Sequence, residues 1–264
     1  MLRISQLRKV FTSGNGMGKI ALDGIELNVV SGDFITIIGS NGAGKSTLLN
    51  AIAGVYGVDQ GRIWIDGQDV TLQPEYRRAG LIGRVFQDPM IGTAASMTIE
   101  ENLAMALKRG NRPGLCPGVN QRSRAHFQEL LALLDLGLEN RLKDPVGLLS
   151  GGQRQALTLL MATISTPKLL LLDEHTAALD PKTAEQIGEL TRRIVGSRRL
   201  TALMITHNLQ DALEFGNRTL MMDQGRIILD LRNPKRAKMT VDDLLDQFVA
   251  LRGTRFLDDR ALLA

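Results

Sequence analysis

The stretch GDFITIIGSNGAGKSTLLNAIA, residues 32–53, decides the fold. Its opening, Phe34 to Ile38, is a short run rich in β-branched residues that reads as a buried strand. Its close, Leu48 to Ala53, carries apolar residues at helical spacing. Between them lie Gly39, Ser40, Asn41, Gly42, Ala43, Gly44, Lys45, Ser46 and Thr47, the pattern G-x-x-x-x-G-K-S. Glycines let successive backbone N–H groups turn inward, and the following helix presents its free N–H groups and positive dipole end to the same anion. Lys45 adds a mobile point charge for β- and γ-phosphates, and Ser46 a hydroxyl for Mg²⁺. By chance the pattern arises in a chain of this length about one time in a hundred, and its place between a strand and a helix lowers that further.

The 264 residues, 44% of them hydrophobic, suffice for a full core in one domain or two closely joined lobes. The formal charge of +4 comes from Lys and Arg spread along the chain, with short runs such as Lys108-Arg109 and Arg198-Arg199. These read as solvated faces and give no case for nucleic acid. Cys116 is the single cysteine, so no intramolecular disulfide or cysteine metal cluster is expected, consistent with a reducing cytoplasmic home. The opening MLRISQLRK lacks the apolar core of a signal peptide. No apolar run approaches the roughly 20 residues that span a bilayer, so any membrane role is expected to be that of a soluble partner.

In chain order, residues 2–5 and 25–30 read as strands around a turn at Ser13 to Gly18. Phe11, just before that turn, reads on its own as core packing, although an aromatic there can also stack on a purine. Residues 61–67 form a strand ending in a turn, and residues 82–89 another that stops at Pro89 and delivers Gln87 from its end. From about Met97 to Val146 the texture is helical, with helices at Ile99–Leu107 and Phe127–Leu136 around a turn-rich loop, Arg109 to Gln121. Ser150 is a natural N-cap, and Gly151 and Gly152 allow close approach of an anion at a second helix start. Lys168 to Glu174 describes a strand buried on both faces that delivers Asp173 and Glu174 at its C-terminal end, one for a metal and one for an attacking water. Asp180 and Pro181 open a helix. A further buried strand, Thr201 to Thr206, ends at His207, which can donate to a phosphate. His126 reads as surface or packing. Residues 218–229 read as a hairpin, and an amphipathic helix spans about Val241 to Leu251.

The order and spacing of these motifs resemble the ATP-binding subunit of ABC transporters over nearly the whole chain. Gly39 to Thr47 matches the Walker A loop, Gln87 the Q-loop, Leu149, Ser150, Gly151, Gly152 and Gln153 the LSGGQ signature, and Leu169 to Asp173 Walker B. Glu174 matches the catalytic glutamate, Ala178 to Asp180 the D-loop, and His207 the switch histidine. Phe11 falls at the adenine-stacking aromatic, which reverses its reading as core.

The resemblance implies an α/β P-loop NTPase core of ABC type, with an antiparallel β subdomain and a helical subdomain inserted at about 88–165. It implies a single ATPase domain over 1–240 and a helical tail over 241–264. ATP and Mg²⁺ are the implied cofactors: Lys45 and the Gly42 to Thr47 amides on phosphate, Ser46 and Gln87 on the metal with Asp173 in support, Glu174 on water, and His207 on the γ-phosphate. Ser150, Gly152 and Gln153 would reach that phosphate from a second copy in a head-to-tail dimer. The implied role is the ATP-hydrolysing subunit of a bacterial importer at the cytoplasmic face of the cell membrane. Its partners would be a separate permease and, indirectly, an extracytoplasmic substrate-binding protein. A soluble Fe–S assembly ATPase is the alternative. The strings GRVFQDPM (83–90) and DEHTAALDPKTA (173–184) look like a branch often linked with tryptophan- or tyrosine-type substrates. His175 departs from the family, which commonly has proline there; it either tunes Glu174 or packs, and packing is the preferred reading.

Overall fold

The structure, a computed structural model, describes residues 1–12, 18–110 and 118–252. All of the turn expected at 13–18 except Gly18, the middle of the loop after Gly110 with Cys116, and the end of the tail lie outside the described residues. The chain forms two compact units, residues 1–78 with the part from 201 on, and residues 79–200.

In the first unit, strands β1 (Leu2–Thr12) and β2 (Gly18–Val29) pair antiparallel from Leu2↔Val29 to Thr12↔Gly18. Both are longer than their apolar residues predict, because the outer halves hold to each other by backbone pairing while Phe11 and Ile20 remain exposed. Strands β4 (Gln60–Ile65) and β5 (Gln68–Asp69) extend this sheet in the order β2-β1-β4-β5. A second layer is built on β3 (Phe34–Ile38), every residue of which is buried. It lies parallel to β8 (Thr201–Ile205) on one side and to β9 (Arg218–Asp223) on the other, and β9 continues antiparallel into β10 (Arg226–Arg232). A strand buried on both faces needs an unbroken apolar run, which FITII supplies. Helix α1 (Lys45–Ala53) follows β3, the short α2 (Glu75–Arg78) follows β5, and α7 (Leu209–Glu214) follows β8. The last helix, which is α8 below, spans Val241–Arg252 and buries Leu244 and Phe248 against Ile38, Leu209, Met221 and Leu231.

Arg78 is a feature of this unit that the sequence did not disclose. Its buried guanidinium donates to the carbonyls of Ala51 and Ile52 at 2.8 Å each, and to those of Gln73 and Thr71. It thereby supplies the orphan acceptors at the end of α1.

In the second unit, β6 (Ile82–Val85) lies parallel to β7 (Leu169–Asp173). The helices are α3 (Ile99–Leu107), α4 (Gln121–Ala132), α5 (Gly151–Thr163) and α6 (Pro181–Ser197). Strand β6 stops at Val85, short of the expected Pro89, as the chain leaves the ladder at Phe86. Helix α4 starts earlier than its leucines predict, because Asn120 and Ser123 form a reciprocal cap ahead of a polar first turn. It ends earlier too, where Asp135 and Gly137 take left-handed backbone at φ 58 and 69°.

Candidate nucleotide site

In the first unit, the register Ile37↔Ile205 sets the ends of β3 and β8 level. Gly39 follows Ile37 at the same interval as His207 follows Ile205, so both leave the sheet at the C-terminal ends of adjacent parallel strands, where such sheets place ligands. Gly39 has φ 146°, and a Cβ there would lie 2.1 Å from the Met222 carbonyl oxygen; Gly44 has φ 100°, and its Cβ would lie 2.5 Å from that of Ala21. Only glycine fits either place. Gly44 is also the N-cap of α1 and offers no side chain to the first-turn N–H groups, the arrangement that receives an anion. Lys45 is 5% exposed, with Nζ donating to the carbonyls of Gly39 at 2.6 Å and Ser40 at 3.1 Å. Its charge is thus held along the loop, while Asn41, Gly42 and Ser46 are exposed.

Phe11 is 41% exposed, so it is not the core residue its local sequence suggests. Its ring meets Tyr56 edge-on at 5.3 Å, and Lys9 Nζ stands 5.5 Å from the ring centroid. The ring is thus braced by two neighbours while staying partly open to solvent. His207 is half-buried, and Asn208 beside it caps α7 by accepting from the N–H groups of Gln210 and Asp211.

In the second unit, Val85↔Leu172 sets the ends of β6 and β7 level. Gln87 and Glu174 follow them at equal intervals and again emerge at adjacent strand ends, Gln87 exposed and Glu174 half-buried. Asp173, half-buried, lies 3.9 Å from the Arg84 guanidinium, which stacks 4.4 Å from the Phe86 ring centroid. Glu174 has φ 47°, a left-handed backbone that costs a non-glycine residue about 1 kcal/mol or more and calls for support from its surroundings.

That support comes from Gln155, which the sequence did not single out, and from His175, which it did. Gln155, buried on α5, donates from Nε2 to the His175 carbonyl at 2.7 Å and to the Phe86 carbonyl at 3.3 Å. His175 itself is 1% exposed, its Nε2 lies 2.9 Å from Thr191 Oγ1, and burial pushes its pKa down to about 4. The expectation that His175 packs agrees with this burial, and the bond to Thr191 adds a direction to it.

Ser150 and Gln153 cap α5 reciprocally, with the Ser150 hydroxyl accepting from the Gln153 N–H and Gln153 Oε1 from the Ser150 N–H. Leu149 is buried, whereas Ser150 and Gly151 are exposed. Gly152 has a packing reason beside any ligand, since a Cβ there would lie 2.3 Å from Thr183 Cγ2. A cavity of about 420 Å³ opens beside this helix start, lined by Ser150, Gly152, Gln153, Thr183, Glu189 and Arg193 among others. Asp180 caps α6 by accepting from the Thr183 N–H at 3.1 Å, and its hydrogen bonds with Thr183 hold its carboxyl below the usual range.

A glycine-rich loop between a buried parallel strand and an uncapped helix defines a nucleotide-binding α/β protein of the P-loop class. The family model for ABC transporters matches residues 22–177. The tyrosine transport ATP-binding protein of Clostridioides difficile is 42% identical over 94% of this chain and 98% of its own length. A methionine import ATP-binding protein of Rhizobium johnstonii is 40% identical over 79% of this chain, which spans only 56% of that longer protein. Among solved structures, a dimeric ATP-binding cassette bound to ADP and phosphate superposes with a TM-score of 0.76 at 28% identity, covering 88% of this chain and 98% of that one. The chain belongs to the ABC transporter family as an ATP-binding cassette, an ATPase. Among the described residues no helix is long and apolar enough to cross a membrane.

Proposed function

We propose that this chain is the ATP-hydrolysing subunit of a bacterial importer, acting as a head-to-tail pair of copies on the cytoplasmic side of a membrane permease. One observation carries the reading: the chain holds a single phosphate loop and, on α5, a second exposed glycine-bearing helix start for which it has no second loop. Each ATP site is then completed by another copy. Lys45 and the Gly42 to Thr47 amides hold the phosphates, Phe11 stacks on the base, and His207 donates to the γ-phosphate. Ser150, Gly152 and Gln153 of the second copy supply the opposing donors, with Asp180 at the same interface. Glu174 takes the proton of the attacking water. The relatives found carry transport names, and nothing among them favours the Fe–S assembly alternative. The tyrosine relative, aligned nearly end to end, supports an aromatic amino acid as the solute, selected by the other subunits and delivered by an extracytoplasmic binding protein.

Magnesium fits the oxygen donors available. Ser46 offers an exposed hydroxyl, Gln87 an exposed amide and Asp173 a half-buried carboxylate. Among the described residues no three His, Cys, Asp or Glu side chains cluster, and Mg²⁺ is commonly held by one or two carboxylates together with substrate phosphates. When bound, the ion neutralises charge developing on those phosphates.

Two measurements test this. Full-length tagged protein recovered from membranes brings down a polytopic permease; recovery of an Fe–S scaffold without a permease overturns the importer role. Phe11→Ala weakens ATP binding about 10-fold, within the roughly 1–3 kcal/mol of a stacked base. An unchanged Kd in a fluorescent-nucleotide titration removes Phe11 from the site.

A further inference from the structure

We infer that Gln155 and His175 are positioning residues that set the Glu174 carboxylate from behind, linking it to the two helices that start at Ser150 and Asp180. The inference rests on the assignment of Glu174 as the residue that activates water.

Gln155 lies in the second turn of α5, the helix that Ser150 caps. Its amide nitrogen meets two carbonyls, those of Phe86 and His175, each the immediate chain neighbour of an expected nucleotide-facing residue, Gln87 and Glu174. The orientation of the amide follows from this, since the opposite flip would set its oxygen against both carbonyls. Its own oxygen is buried with no hydrogen-bond partner. A buried glutamine that leaves its acceptor unused is costly for packing alone. What it supplies, and an apolar side chain would not, is a donor shared by the backbones of both loops.

His175 makes the second link. The single proton of the Thr191 hydroxyl is donated to the Ile187 carbonyl at 2.8 Å. Thr191 Oγ1 therefore accepts from His175, which fixes the ring as the Nε2–H tautomer and leaves Nδ1 as a buried lone pair without a partner. The ring is thus held by one directed bond to α6, the helix that Asp180 caps. Glu174 stands between these anchors in a left-handed backbone, its carbonyl accepting from the Ala177 N–H at 3.0 Å. The loop is thus over-determined by backbone contacts on either side of the Glu174 side chain. A nucleotide seated on α5 or α6 by a second copy acts through Gln155 and Thr191 on the residue that does the chemistry. Because the nucleotide on this chain's α5 is held by the second copy's phosphate loop, occupancy of one composite site is coupled in this way to the readiness of Glu174 in the other.

The test separates positioning from folding. In the full chain, Thr191→Val keeps the volume and removes the acceptor, Thr191→Ser keeps the acceptor, and Gln155→Met removes the shared donor. Thr191→Val and Gln155→Met are expected to lower kcat about 10-fold or more, as displacement of a reacting group does. KM for MgATP should stay within about twofold of wild type, the signature of an interaction felt in the transition state. Thr191→Ser should restore kcat. Wild-type kcat in any folded Thr191→Val or Gln155→Met protein overturns the inference, as does Thr191→Ser falling as low as Thr191→Val. If Thr191→Val does not fold, Gln155→Met decides on the same criteria. Glu174→Gln, run alongside, reports on the underlying assignment alone: hydrolysis at the wild-type rate in that variant would overturn the role of Glu174, whatever the others do.

Discussion

Replacing Glu174 by Gln is expected to lower ATP hydrolysis by about 100-fold or more, the usual worth of a positioned general base, while leaving ATP binding intact. The substitution keeps the side chain's volume and its ability to hydrogen-bond, and removes only its capacity to take a proton. The loop is held by backbone contacts at the His175 and Glu174 carbonyls, neither of which involves the exchanged atoms, so the left-handed turn should persist. The nucleotide contacts proposed for Lys45 and Ser150 are likewise untouched. With binding retained and turnover blocked, ATP-bound pairs of copies should accumulate, visible as a dimer by size-exclusion chromatography with MgATP and as a monomer without it. A variant that stays monomeric with ATP counts against the composite site. One that turns over at the wild-type rate removes Glu174 from the chemistry.

The phosphate loop could be read from the sequence because its residue types answer to local backbone needs. Gly39 and Gly44 must be glycine in this fold for the very angles that the loop pattern implies. The strand ends bearing Gln87, Glu174 and His207 were legible for a related reason, since a short apolar run such as LLLLD, with turn signals around it, fits a strand buried on both faces. Phe11 was misread locally because a half-exposed aromatic at the far end of a long hairpin has the same neighbours in sequence as a core residue. Resemblance to the family, not periodicity, corrected it. Gln155, Thr191 and Arg78 were not legible at all. Their partners are carbonyls of Phe86, His175, Ile187, Ala51 and Ile52, and carbonyls are the same at every residue. A side chain whose purpose is to satisfy a distant backbone leaves no pattern in the sequence, and Gln155 is further masked by its place just after the signature. For Gly152 the sequence suggested close approach of an anion and gave no sign of the Thr183 methyl that excludes a side chain.

His175 should also leave a mark on stability. In the unfolded chain its pKa returns to about 6.5, whereas burial in the folded protein lowers it to about 4. Between these values the unfolded state binds the extra proton and the folded state does not, so stability falls as pH drops through that window. The contribution is fully present above about pH 6.5 and is lost by about pH 4, amounting to about 3 kcal/mol at 1.4 kcal/mol per unit. The physical cause is visible in the hydrogen bonds: a second ring proton on Nδ1 would have no acceptor in a site that is 1% exposed. Carboxylates such as Asp180 and Asp243, held below their usual range by hydrogen bonds from Thr183 and Thr240, lose their stabilisation only as pH falls below about 4, so they leave the interval above it to the histidine. Urea unfolding of the nucleotide-free protein at pH 7, 6 and 5 should therefore show a declining midpoint with unchanged m-value. His175→Asn, less stable at pH 7 for the lost packing, should show a flatter decline over the same range. Equal slopes in the two proteins would mean that the ring is not buried neutral, and with that the directed bond from Nε2 to Thr191 would lose its ground.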